Sequence, residues 1–263
     1  MTVKRLLGVI GALVLVGVAV LAYSFFKPTK EASQPIEAIP LASSAPAATA
    51  TVAPTAASGA AQPTAAPTSA PADVTQPPAG ETAGTTQIVE IKQDESEARF
   101  LIDEVLEGAP KTVIGTTNQV AGQIEINAAN PAATRVGTIQ VNARTLTTDS
   151  EFRNRAIKNR ILRTDDFEYV TFTPTSLSGL PPAGEVGKPY TFQISGDLTI
   201  VETTKPVVFE VTVTATSATR IEGTASVVIR YADFGLEIPS SPAVASVEDD
   251  VKLELEFVAE PKS

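Results

Sequence analysis

The 263 residues offer little chemistry beyond carboxylates, cations and hydroxyls, because histidine and cysteine are both absent. Their absence removes a thiol nucleophile, a disulfide, a Ser-His triad, an imidazole metal site and a histidine general base. The carboxylates fall next to one another, as Asp165-Asp166 and Glu248-Asp249-Asp250. Neighbours on a strand point to opposite faces, so neither set makes a facing glycosidase pair or a calcium cage. They read as turn residues and solvated charge. Gly184-Glu185-Val186-Gly187-Lys188 misses the P-loop spacing and runs into Pro189. Cations gather once, as Arg153, Arg155, Lys158, Arg160 and Arg163, in a chain of net charge −10. That cluster reads either as a solvated helix face or as a contact for lipid head groups or an anionic ligand end. The acidic balance excludes nucleic acid as a partner. No group of titratable residues supports catalysis, so the expectation is a protein that is not an enzyme and has no cofactor.

The elements that must carry these residues are strands. Phe192, Ile194, Gly196, Leu198 and Ile200 alternate with polar residues, and so do Val207, Phe209, Val211, Val213 and Ala215. Ile221, Val227, Ile229 and Tyr231 continue the pattern, as do Val251, Leu253, Leu255 and Phe257. A period of two puts one apolar row on one face, and several such strands at short spacing give an antiparallel sandwich or barrel. Strands are predicted near 86–92, 96–106, 118–127, 134–142, 168–176, 189–201, 206–216, 220–231 and 250–259. One amphipathic helix interrupts them over Asp149–Leu162, with Asp149 as its N-cap and Glu151 in the first turn.

Ahead of the strands, Lys4-Arg5 precedes an uncharged run from Leu6 to Phe26. Its length suits one bilayer crossing of about 30 Å. Residues 1–27 therefore read as a transmembrane anchor, or as a signal peptide cut near Val20-Leu21-Ala22. Either way the domain is expected outside the cytoplasm. Residues 28–84 hold ten of the 20 prolines among Ala, Thr and Ser, which predicts a disordered linker. The folded domain is expected over 85–263.

Three segments resemble the YceI-like polyisoprenoid-binding family. They are Asn130–Asn142, Arg155–Phe172 with its Asp166-Phe167, and Ser195–Ile200 followed by Thr204-Lys205-Pro206-Val207. The family's glycine after the last strand-end isoleucine is replaced here by Val201, and its usual histidines are missing. The resemblance implies an all-β, antiparallel, eight-stranded lipocalin-like barrel with one inserted helix around a long apolar pore. It implies a ligand such as an isoprenoid quinone, a fatty acid or a fatty amide. Alternation selects the inward residues: Phe100, Ile102, Ile124, Val141, Phe172, Phe192, Ile194, Phe209, Val211, Val227, Ile229, Leu253 and Phe257. Gly122, Gly196, Gly223 and Ala225 on inward faces are expected to leave room. The expectation is thus a single-pass, membrane-tethered lipid carrier, with a homodimer admitted. The alternative is a stalked β-domain with a filled core acting in adhesion or envelope contacts.

Overall fold

The alternating strands build one antiparallel sheet, in a computed structural model that describes residues 23, 27–33, 36–41, 86–127, 129–241 and 244–262. The expected span 6–26, Tyr23 apart, and the linker stretch 42–84 lie outside those residues. Among the described residues no helix is long and apolar enough to cross a membrane. The first strands are β1 (Thr86–Ile91), β2 (Glu97–Leu106), β3 (Ala109–Thr117), β4 (Val120–Ala121), β5 (Gln123–Asn127), β6 (Arg135–Val136) and β7 (Ile139–Asn142). The rest are β8 (Tyr169–Ser178), β9 (Pro189–Ile200), β10 (Thr203–Ala215), β11 (Ile221–Arg230) and β12 (Val244–Glu260). Hydrogen-bonded neighbours run β4-β7-β8-β9-β10-β11-β12-β1-β5-β6, with β2 added to β12 and β3 added to β2. The ends of this path are consecutive pieces of chain. Val120 faces Val141 and Ile124 faces Val136, so the sheet curls back on itself. A curled antiparallel sheet with one short helix agrees with the lipocalin-like class expected.

Among the described residues twelve strands stand where eight were expected. Gly122 splits the 118–127 stretch because the Ile139 side chain occupies the place of its missing Cβ. The 134–142 stretch divides at Gly137, whose N–H leaves the ladder for the Gln123 carbonyl at 2.8 Å. β3 is new. Pro110 and Gly115 make it look like a loop, yet Pro110 lies on a strand paired on one side only, where a missing N–H costs no ladder bond. Its turn is Glu107-Gly108, with φ of 51° and 82°, the two-residue geometry that matches strand twist.

Register carries the inner face across the sheet. Phe192 pairs with Val211, Val211 with Ala225, Ala225 with Leu255 and Leu255 with Ala98, giving one apolar row over five strands. Helix α1 (Glu151–Ala156) is shorter than expected, and a wide π turn at Ile157–Ile161 follows it. Its cap is Ser150 rather than Asp149: the Ser150 hydroxyl accepts from the Arg153 N–H at 3.4 Å. Val201 turns β9 into β10 at φ 57°, a left-handed conformation that a β-branched residue adopts only with strain.

The described part of the expected linker is not free. Residues 27–33 and 36–41 lie as a strap on the outside of the sheet. Lys27 Nζ lies 2.6 Å from Asp165 Oδ2, and the Lys30 N–H donates to Asp165 Oδ1 at 2.8 Å. The Ser33 N–H and hydroxyl both donate to Glu168, at 2.6 and 2.8 Å. Ile36 is buried, and its carbonyl accepts from Gln93 at 2.7 Å. Composition alone hid this contact, since it is made by a few lysine, serine and backbone N–H donors and a single buried Ile36 rather than by a run of apolar side chains.

Candidate ligand-binding pore

A cavity of about 870 Å³ lies against the inner face of the sheet. That is within the range of small-molecule sites, roughly 300–1,000 Å³. Twelve of the thirteen inward residues expected from alternation line it: Phe100, Ile102, Ile124, Val141, Phe172, Phe192, Ile194, Phe209, Val211, Ile229, Leu253 and Phe257. Val227 shares their face but packs into the cluster of Phe172, Phe192, Leu198 and Ile229 instead. Ala225 lines the void as expected.

The inward glycines do something other than leave room. A Cβ on Gly196 would come within 2.6 Å of the Phe172 ring, and one on Gly223 within 2.8 Å of the Phe257 ring. Gly115, directly across from Phe100, is covered by that ring in the same way. Each glycine thus lets a phenylalanine lie down against the wall. A ring laid flat contributes apolar surface to the lumen without crossing it. Phe172 also meets Phe209 edge to face, with centroids 4.8 Å apart.

Polar groups collect at the ends. At one mouth α1 and its π turn bring Phe152, Arg153, Ala156, Ile157 and Ile161 to the rim. Arg153 donates to Glu104 Oε1 at 2.8 Å and also to Asp149, which Lys111 reaches at 2.5 Å. Two acids and two bases cancel there. Glu104 is the residue that sequence reasoning missed: a buried charge on the inward row of β2, two places past Ile102. Its place in that row was the available signal, and the Arg153 partner explains how it is tolerated. The Lys111 ammonium, hydrogen-bonded to Asp149, holds that carboxyl below its ordinary range. Burial pushes the Lys158 ammonium down. The other mouth is formed by the β8–β9 and β10–β11 connections, with exposed Val186 and with Tyr190, whose hydroxyl accepts from the Glu185 N–H at 3.0 Å.

Outside the lumen, the strap's two carboxylate anchors are electrostatically distinct from the sheet. Hydrogen bonding from Lys27 holds the Asp165 carboxyl below its ordinary range. Burial works against a charged Glu168, yet Ser33, Asn142 and Arg144 together keep its carboxyl low. Among the described residues no group of His, Cys, Asp or Glu could hold a metal ion.

Residues 90–259 match the profile of the YceI-like domain. A search of curated proteins gives no match. Two of the solved structures that match the fold are similar over most of their own length. BcnA of Burkholderia cenocepacia aligns with a TM-score of 0.51 at 16% identity, covering 64% of this chain and 98% of that one. A polyisoprenoid binding domain from Saccharophagus degradans, implicated in plant cell wall breakdown, aligns with a TM-score of 0.52 at 16% identity over 66% and 98% of the two chains.

Proposed function

The chain belongs to the YceI-like family, and from that premise we propose that it is a carrier holding one polyisoprenoid or other long-chain amphiphile in its lumen. Residues 6–26 tether it to the membrane, with the sheet outside the cytoplasm. The observation that carries this reading is the apolar lumen of about 870 Å³, walled by rings that glycines hold flat. The Saccharophagus degradans relative supports a polyisoprenoid as the ligand class. A filled-core adhesion module would leave no such space.

The work is done by burial. Each CH₂ moved from water into the lumen contributes about 0.8 kcal/mol, offset by association and chain-ordering costs. Phe192, Val211 and Leu253 supply contact to a chain of any sequence of methyl branches, so the wall selects for length and apolarity. The charges at the rim keep water at the ends and leave the middle dry.

Native mass spectrometry of the full chain released from detergent tests the carrier. The expected spectrum shows one lipid mass per chain, and a bare chain after incubation with a long-chain fatty acid and a prenyl quinone would overturn it. Carbonate extraction tests the tether: the protein should stay with the membrane. A soluble product beginning at Tyr23 would replace the anchor with a signal peptide.

A further inference from the structure

The strap begins at the α1 mouth. The Lys27 carbonyl accepts from Asn159 Nδ2 at 3.1 Å, and the Lys27 ammonium pairs with Asp165 just beyond the π turn. From there the chain runs along the outer wall to Leu41, whose N–H donates to Gln123 Oε1 at 2.9 Å. Lys27 directly follows the uncharged Leu6–Phe26 run. Lys27, the first residue after that run, therefore lies beside one mouth and not the other.

The same mouth has the surface of a bilayer-facing element. Phe152 on its rim is 56% exposed. Next to it, exposed Arg155 and half-buried Lys158 make no salt bridge within 4.0 Å among the described residues, and the Glu151 carboxylate acts on Lys158 only from a distance. An aromatic ring among cations suits the head-group layer of an anionic membrane, where the ring enters the interface and the cations meet phosphates. The opposite mouth lacks this combination: its Lys188 is already 3.5 Å from Glu185.

We infer that the α1 mouth docks on an anionic bilayer surface, so that the lumen opens toward the lipid and the strap fixes that orientation. This rests on residues 6–26 being a tether. It does not depend on which molecule fills the lumen.

The absence of cysteine makes single labels clean. Full-length Glu151→Cys at the α1 mouth and Val186→Cys at the far mouth, each carrying a bimane, are placed in vesicles of phosphatidylglycerol and phosphatidylcholine with brominated acyl chains. Quenching is expected at position 151 and not at 186. Replacing phosphatidylglycerol by phosphatidylcholine should lower the quenching at 151 about twofold, the loss expected when cations no longer meet anionic head groups. Adding Asp165→Ala, which removes the carboxylate held by Lys27 and Lys30, should narrow the difference between the two labels. Equal quenching, quenching at 186 alone, or no quenching on protein that floats with the vesicles would overturn the docking. A shielded 151 label on protein of doubled mass would overturn it too, by placing a second copy on that mouth. Protein that stays off the vesicles would overturn the tether and the docking together. Quenching at 151 on protein that carries no lipid mass supports the docking and removes only the carrier.

Discussion

The lumen and the strap are two apposed surfaces built on opposite chemistries. In the lumen, Phe172, Val211 and Ala225 face a void, and apolar contact is left unmade on purpose of volume. Under the strap, Asp165 and Glu168 are saturated with donors from Lys27, Lys30, Ser33, Asn142 and Arg144. The difference teaches where the molecule is intolerant. A wall beside empty space accepts added atoms cheaply, and a satisfied, nearly buried carboxylate accepts no change at all.

The largest effect should come from Glu168→Ala. Arg144 and Glu168 are each 10% exposed and paired at 2.6 Å, so removing the acid leaves the guanidinium with backbone carbonyls but no counter-ion, and takes the acceptor from Asn142 and the Ser33 donors. Denaturant melts should show a loss of about 3 kcal/mol. The same comparison predicts acid sensitivity. Both strap carboxyls lie below their ordinary range, so their stabilisation is complete above it and is lost as pH falls through the depressed values, below about pH 4. Strap release followed by proteolysis near residues 27–41 would register this before the sheet unfolds.

Next in size is Gly223→Ala. The new methyl would meet the Phe257 ring and the Thr212 carbonyl, both at 2.8 Å. Melts should show a loss of about 1–3 kcal/mol, with the ring tilted into the lumen. A smaller stability change, under about 1 kcal/mol, is expected for Ala225→Phe, which faces the void, although lipid uptake should be blocked. Ser226→Phe on the other face of β11 should leave uptake unchanged in a fluorescent fatty-acid displacement assay. A large stability loss for Ala225→Phe would erase the contrast between lumen and strap. The smallest effect is a gain. Val201→Gly relieves a left-handed backbone and should add about 1 kcal/mol, read from the same melts.

How much of this was legible follows from which interactions leave a period in the sequence. The inner rows of β9 to β12 were readable because strand geometry forces alternation, and pore residues such as Phe209 and Leu253 came with them. The pairing of Phe257 with Gly223 was not, because it depends on register between strands, which no single strand records. Ala109–Thr117 was lost because Pro110 and Gly115 signal a break, and only its one-sided pairing makes them harmless. The strap left no trace at all. Its bonds join Lys27, Ser33 and backbone N–H groups to two carboxylates after α1, of which Asp165 read as solvated charge.

Those bonds also span a long stretch of chain. Lys30 and Asp165 are 135 residues apart, as are Ser33 and Glu168. Closing so large a loop has an entropy cost that rises with its length, and long-range contacts form after local ones have already drawn the chain together. The hairpins β2–β3, β9–β10 and β10–β11 need no such search. Assembly therefore has an order: the sheet curls first, and the strap settles onto a finished wall. The protein has a lumen before it has a strap.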